Sequence, residues 1–342
     1  MKRLGLAALL CVLTACGQSA ASSGTTPATS PASSPTISCR LPVLVPITSG
    51  STEPLGGWVT FPGGQYERDP TSRVSVVNHV PSYDWPLKRW VPVESASVSP
   101  DGTSYVLWDL PQQVGDFIMV EVATGQRRTI FASPEVEAQR SAWEMMGYRR
   151  VLEYTREGIY IGDSGIMPKP GLWLLDAVTG KVRLLPGTDQ NYWQVAGGAA
   201  WTRVDDPSSQ TIRRLDLTTG QIADWYRFSL SAQPTLITVD AHGAPVIRTI
   251  GNDKVGLISE PGKFKELQIP SGLEIWSAQL AEPGLWLPLR WGKGVALYTR
   301  EHGVQLFPTG TGPYSFTLAG GCFDPAAWVP KQAQGPWRAL GG

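Results

Sequence analysis

The residues whose chemistry suits catalysis are few and scattered along the chain. The most suggestive string is Gly162-Asp163-Ser164-Gly165, in which a serine that could act as a nucleophile stands between glycines. Such a serine needs a histidine base and an aspartate that orients the base. The three histidines, His79, His242 and His302, stand in unrelated contexts, and the last two precede a glycine, which is typical of a turn. We therefore expect a loop at this string and no catalytic residue in the chain.

The sequence also predicts no metal site and no cofactor. It contains no His-x-x-x-His or Cys-x-x-Cys pair and no aspartate-rich loop with calcium-binding spacing. A Gly-x-Ser-x-Gly elbow and a P-loop are absent as well. The adjacent carboxylates Asp205 and Asp206 are more typical of a solvated loop than of groups converging on one bond.

The N-terminal residues have the features of an export signal that ends just before Cys16. Met1-Lys2-Arg3 is basic, and the ten apolar residues from Leu4 to Leu13 suit a signal peptide, because they are too few to span a bilayer. Leu13-Thr14-Ala15-Cys16 resembles the lipobox of bacterial lipoproteins. The resemblance implies removal of residues 1–15, a lipid on Cys16, and anchoring to the outer side of the cytoplasmic membrane or to an outer membrane. The alternative is an ordinary signal peptide with an incidental cysteine.

Residues 16–38 should form a flexible tether. Between Gly17 and Ser38, 18 of 22 residues are Ser, Thr, Pro or Ala, and none is charged. Such a segment cannot bury enough apolar surface to offset the entropy of ordering it. The tether would hold the folded part, residues 39–330, clear of the membrane, and residues 331–342 would form a C-terminal tail.

A repeated turn indicates the fold of residues 39–330. Glu121-Val-Ala-Thr-Gly125, Asp176-Ala-Val-Thr-Gly180 and Asp216-Leu-Thr-Thr-Gly220 are similar, and weaker copies end at Gly262 and Gly303. The acidic residue can accept backbone N–H bonds, and glycine supplies the positive φ that closes the turn. A spacing near 41 residues between short paired strands is typical of β-propeller blades with four antiparallel strands. Hairpins counted from Gly63 onward favour six blades, whereas chain length divided by the repeat leaves seven possible.

The string Ser99-Pro100-Asp101-Gly102 resembles the phrase that recurs in TolB-like propellers. Gly171-Leu172-Trp173, which leads into the Asp176 turn, is similar to bacterial lipoproteins of this type. The resemblance spans roughly residues 90–310 and implies a propeller that serves partner proteins in the cell envelope.

Closure of the ring should involve both ends of the propeller. Leu41 to Ile47 and Tyr314 to Leu318 are the candidate strands for a shared blade, and Cys39 and Cys322 lie just outside them. In an exported protein such a pair is usually a disulfide. Two unpaired thiols are the alternative.

Two aromatic segments are candidate binding sites, because aromatic and arginine side chains in loops anchor ligands well. They lie between predicted strands and contribute Tyr83, Trp85, Arg89, Trp90, Tyr192 and Trp193. The alternative is that these side chains have a structural role and pack the loops against the rest of the fold. By contrast, Trp173, Trp201, Trp225 and Trp286 fall within predicted strands and should pack between blades.

The charge balance of the chain limits the classes of partner that we expect. The chain has 29 basic and 29 acidic residues, and without Lys2 and Arg3 the balance is 27 to 29, so we expect no nucleic-acid partner. We expect a monomeric, lipid-anchored binding or scaffold module for a protein, peptide or glycan in the envelope. The alternative is a propeller glycosidase or lyase that uses carboxylates in the channel.

Overall fold

The computed structural model describes residues 37–45, 55–72, 80–84, 87–108, 117–130, 149–163, 170–251, 254–269, 275, 277–281, 284–289, 294–309 and 316–322. The predicted signal, lipidated Cys16, C-terminal tail, His79 and Trp85 lie outside the described residues. The described part contains no helix long and apolar enough to cross a membrane.

The described residues form six antiparallel blades, numbered from the N-terminus. Blade 1 contains β25 (Thr317–Leu318), β1 (Cys39–Val45), β2 (Leu55–Phe61) and β3 (Gln65–Arg68). Blade 2 contains β6 (Ser104–Trp108), β7 (Phe117–Glu121) and β8 (Arg127–Ile130), and a single bridge from Val98 to Tyr105 supplies its first strand. Blade 3 contains β9 (Arg149–Tyr154), β10 (Ile159–Asp163), β11 (Trp173–Leu175) and β12 (Val182–Leu184).

The remaining three blades are regular. Blade 4 contains β13 (Gln194–Ala196), β14 (Ala199–Asp206), β15 (Ser209–Asp216) and β16 (Ile222–Ser229). Blade 5 contains β17 (Pro234–Val239), β18 (Pro245–Thr249), β19 (Lys254–Glu260) and β20 (Lys263–Glu266). Blade 6 contains β21 (Gln279–Ala281), β22 (Gly284–Pro288), β23 (Val295–Thr299) and β24 (Gly303–Phe307). The expected six-bladed propeller is confirmed.

The repeated turn has the predicted chemistry. Asp176 Oδ1 accepts the N–H groups of Val178 and Thr179, each at 2.8 Å, and Asp216 Oδ1 accepts those of Thr218 and Thr219. The Thr179 N–H bond is the main reason that the pKa of Asp176 lies below its usual value. The glycines at the ends of these turns have positive φ: Gly125, Gly180, Gly220, Gly262 and Gly303. The earliest hairpin differs by one residue, because Gly64 rather than Gly63 has positive φ.

The C-terminal strand closes the ring by pairing with the N-terminal one. In β25, Leu318 lies opposite Val43 and Thr317 opposite Leu44. Cys39 and Cys322 form the predicted disulfide, with their Cα atoms 5.6 Å apart. The strand predicted as Leu41 to Ile47 is β1, and the one predicted as Tyr314 to Leu318 contains β25.

Apolar side chains fill the space between successive blades. The predicted packing of tryptophans is observed: Trp201 lies between blades 4 and 5, Trp286 between blades 6 and 1, and Trp173 between blades 2 and 3. Trp225 is half-buried against the same cluster as Trp201. Further clusters join blades 3 and 4 and blades 5 and 6.

The interface between blades 1 and 2 is different, because a two-stranded hairpin is inserted there. This hairpin, which we call the wedge, consists of β4 (Ser82–Asp84) and β5 (Arg89–Val91). Tyr83 and Trp90 pack with Leu44 of blade 1. Val91 joins Val98, Leu107 and Val120 of blade 2. The wedge accounts for the long interval between the first hairpin and Gly125.

Gly56 allows the wedge to approach blade 1 closely. A Cβ added there would lie 2.3 Å from Ser72 Cβ and 2.9 Å from the Trp90 ring. Ser72 in turn accepts the Gly56 N–H through its Oγ at 2.9 Å. A methyl group therefore cannot fit unless the wedge or the turn at Pro70–Ser72 moves.

We predict that Gly56→Ala lowers the free energy of unfolding by about 1–3 kcal/mol, the usual cost of overpacking. Gly63→Ala is the matched control, because a Cβ there would meet only Gln65 Cγ at 3.9 Å. Urea unfolding of both variants measures the difference. Equal stability of the two variants would show that the wedge does not pack as described.

Candidate functional site

The central channel is the main candidate site. A cavity of about 480 Å³ is lined by residues from the innermost part of all six blades and by the wedge. The strands β9, β13, β17, β21 and β25 each lie at one edge of their sheet, and each contributes to the lining. An edge strand presents backbone N–H and C=O groups to whatever lies beside it.

Each blade has one polar residue at an equivalent position of its innermost strand, and five of these six residues line the channel. In each blade, one residue makes the last backbone pairing between the first two strands. Ala196 pairs with Ala199 and Ala281 with Gly284, and in the other four blades a backbone N–H donates to the chain opposite, from Ser99, Thr155, Asp240 and Ala319. The residue two positions earlier is polar in all six blades. We call this set the polar ring; it comprises Ser97, Glu153, Gln194, Thr238, Gln279 and Thr317.

The polar ring lies beside the cavity because of strand alternation. Successive side chains of a strand point to opposite faces. In five blades the residue that follows the ring position packs into an apolar cluster, whereas Leu280 of blade 6 lines the cavity; the five are Val98, Tyr154, Val195, Val239 and Leu318. Five ring members line the cavity, whereas Ser97 is buried and is not part of the lining.

The ring was not found from the sequence, although a signal exists. Gln194-Val-Ala-Gly-Gly, Gln279-Leu-Ala and Thr317-Leu-Ala-Gly-Gly are copies of one short phrase, each immediately before a turn. Catalytic and metal sites are recognised in a sequence by histidines, cysteines and paired carboxylates. Amide and hydroxyl side chains more than 35 residues apart do not form such a pattern.

Some charged side chains that line the channel are bonded within the fold, and others are exposed. Asp240 is bonded within the fold, and its side chain is only 4% exposed. Its Oδ1 accepts the N–H groups of His242 and Ala244, and its Oδ2 pairs with Arg300 at 2.9 Å. Asp84 is buried and accepts the Leu87 N–H at 3.2 Å. Glu94 and Arg150 also line the cavity, and both are exposed.

The described residues offer few side chains that could bind a metal ion or act in catalysis. No group of three or more His, Cys, Asp or Glu side chains in that part of the chain could hold a metal ion. Asp163 belongs to β10, and Ser164 and Gly165 lie outside the described residues. No histidine is among the residues that line the channel.

The first predicted aromatic site forms part of the wedge. Tyr83 lies in β4, and Arg89 and Trp90 lie in β5, whereas the sequence placed all three between strands. Trp90 is 2% exposed, and the Tyr83 ring lies edge-on to Trp58 and Trp90. Arg89 is exposed and donates to the backbone carbonyl of Val122 in blade 2 at 3.3 Å. Of these, only Tyr83 lines the channel.

The second aromatic site is split between surface and core. Trp193 is 3% exposed and donates its Nε1–H to the carbonyl of Thr188 at 3.0 Å, which fastens the loop before blade 4. Tyr192 is 51% exposed and bridges Gly171 through its backbone. Neither residue lines the channel.

One carboxylate holds the wedge to blade 1. Asp69 Oδ2 accepts the indole N–H of Trp58 at 3.1 Å and that of Trp90 at 3.0 Å. Its Oδ1 accepts the Thr71 N–H and hydroxyl. Burial favours the neutral form of Asp69, but the hydrogen bonds from Thr71, Trp90 and Trp58 outweigh it, so its pKa lies below the usual value.

The chain is distantly similar to several solved structures. TolB from Acinetobacter baumannii is 15% identical over 81% of this chain and 65% of its own, with a TM-score of 0.47. Virginiamycin B lyase from Staphylococcus aureus is 14% identical over 81% of this chain and 86% of its own, with a TM-score of 0.43. The acylaminoacyl peptidase from Pyrococcus horikoshii is 11% identical, covers 78% and 43%, and has a TM-score of 0.46.

The chain therefore spans less than two thirds of the length of TolB and of the peptidase. No protein-family model matches the chain, and no curated protein matches it by sequence. Similarity at this level carries no residue role or activity from those proteins to this chain. The functional argument rests on the channel itself.

We predict that Asp69→Asn destabilises the chain by about 1.5–3 kcal/mol at neutral pH, the range for hydrogen bonds to a charged group. Because the folded pKa of Asp69 is depressed, its contribution is full above the unfolded pKa near 4 and is lost as pH falls through the folded value. The stability gap between wild type and variant should therefore shrink on acidification. Exposed Asp189→Asn is the control. A gap that is constant with pH would contradict the role of the Asp69 charge.

Proposed function

We propose that the chain is a lipid-anchored binding module, outside the cytoplasmic membrane, that holds an extended segment of an envelope protein in its channel. The observation that carries this proposal is the polar ring, five of whose members line the channel cavity with amide, hydroxyl and carboxylate side chains. Such groups can donate hydrogen bonds to a ligand and accept them from it.

The inner strands favour an extended peptide as the ligand. A peptide in β conformation can pair its backbone with the edge of an exposed strand, while its side chains enter adjacent pockets. The inner strands of blades 3 to 6 and blade 1 are sheet edges that line the cavity. The backbone edges would supply affinity, and the polar ring would select the side chains.

The glycosidase or lyase alternative depends on channel carboxylates. A glycosidase needs one protonated and one ionised carboxyl group, flanking the scissile bond. Asp240 is bonded to Arg300 and to its own turn, and Asp84 is buried against the wedge. Two of the four carboxylates that line the channel are therefore bonded within the fold, whereas Glu94 and Glu153 also line it. A glycan ligand is the competing outcome of the test below.

We predict that Gln194→Ala and Gln279→Ala each weaken binding of a selected peptide about tenfold, the effect of losing about 1.4 kcal/mol. The peptides would come from a displayed library of random short sequences, selected on the full chain. Gln221→Ala is the matched control, because Gln221 is exposed in the turn between β15 and β16, away from the channel.

Two outcomes would overturn the proposal. If the selected peptides bind both channel variants as tightly as wild type, the channel is not their site. If the library yields no binder and soluble cell-wall glycan fragments bind instead, the ligand is not a peptide.

The anchoring part of the proposal predicts that Cys16→Ala abolishes incorporation of a labelled fatty acid and releases the chain from membranes. The lipid should attach to the thiol of the new N-terminal residue, and several acyl chains are needed for stable anchoring. Cys11→Ala is the matched control, since Cys11 belongs to the apolar part of the signal. Labelling lost in both variants or in neither would contradict lipidation at Cys16.

A further inference from the structure

Two residues of opposite charge line the channel from neighbouring blades. Glu94 is three residues before Ser97, the ring position of blade 2, and Arg150 is three residues before Glu153, the ring position of blade 3. The 3₁₀ turn at Ser95–Ser97 packs beside β9, which contains Arg150. Both side chains line the channel cavity and are exposed.

The side chains of Glu94 and Arg150 have no partner within the described part of the chain. Some opposite charges in the described part do pair; examples are Arg213 with Asp224 at 2.6 Å and Lys254 with Glu266 at 2.6 Å. The Glu94 carbonyl accepts the Ser97 N–H at 2.9 Å, but in the described residues neither the Glu94 carboxylate nor the Arg150 guanidinium forms a hydrogen bond or an ion pair. Glu94 also leaves the 3₁₀ turn that follows it uncapped.

The other ionisable groups of the lining do not neutralise them. Asp240 is bonded to Arg300, and Asp84 accepts a backbone N–H in the wedge. Glu153 has a contact of its own. An exposed carboxylate and an exposed guanidinium therefore face the same cavity from neighbouring blades.

We propose that Glu94 and Arg150 are specificity-determining residues that read opposite charges on the channel ligand. This inference rests on the proposed function. It identifies the ligand as a peptide segment with one basic and one acidic side chain a few residues apart. Glu94 accepts hydrogen bonds from the basic group, and the planar guanidinium of Arg150 binds the carboxylate with two parallel N–H bonds. Complementary charge of this kind gives specificity and faster association.

The test uses four displayed libraries of short random peptides: uncharged, basic only, acidic only, and mixed basic and acidic. On the wild-type full chain we expect the mixed library to give the tightest binders, by about tenfold over the uncharged one. Glu94→Gln should remove the preference for a basic residue only, and Arg150→Gln the preference for an acidic residue only. The double exchange Glu94→Arg with Arg150→Glu should select mixed peptides with the order of the charges reversed.

A control pair separates this effect from a general change of charge. Glu260 and Lys263 lie on the outer hairpin of blade 5, and Glu260→Gln and Lys263→Gln should change no preference. Mixed-library binding should also weaken as salt concentration rises, because exposed charges are screened.

The outcomes distinguish this inference from the proposed function. If uncharged peptides bind wild type as tightly as mixed ones and still lose affinity with Gln194→Ala, the channel binds peptides but the charge pair does not select them. If both single variants keep the mixed preference, the inference is also wrong. If no library gives a binder, the peptide proposal fails and this inference fails with it.

Discussion

The structure depends on a geometric constraint: each blade is a sheet with two apolar faces, and both faces must be covered. A row of stacked blades leaves two faces open at its ends, and only closure into a ring covers them. The pairing of β25 with β1 makes blade 1 from both ends of the folded chain, and the Cys39–Cys322 bond joins the same two segments. The polar channel exists because this closure arranges the inner strands around one cavity.

The wedge shows how the ring accommodates an interface that the blades alone do not fill. Five interfaces each contain one apolar cluster that joins two blades directly. At the sixth, the wedge packs Trp90 against blade 1 and Val91 against blade 2. Asp69 holds it through two indole N–H groups. The wedge also reaches the channel and adds Ser82 and Tyr83 to its lining, so one insertion serves packing and shapes the candidate site.

Prediction from sequence succeeded where the physical cause is local. The repeated acidic residue and glycine located the turns at Gly180 and Gly220, because the bonds that form such a turn lie within five residues. The wedge was missed because its strands are three residues long, too short for alternation to be visible. The polar ring was missed because its members, such as Gln194 and Gln279, meet only after the ring closes. Signals of export and lipidation are read from the sequence alone, and they remain predictions.

Amide hydrogen exchange on the full chain, with and without a selected peptide, tests most directly the claim that the channel is a binding site. The inner strands β13, β17 and β21 have an edge toward the cavity, whereas β16 and β20 lie at the outer edge of their blades. A bound peptide should slow exchange in the inner strands and leave the outer strands unchanged. Slower exchange confined to β16 and β20 would contradict the account, because the ligand would then bind the outside of the ring.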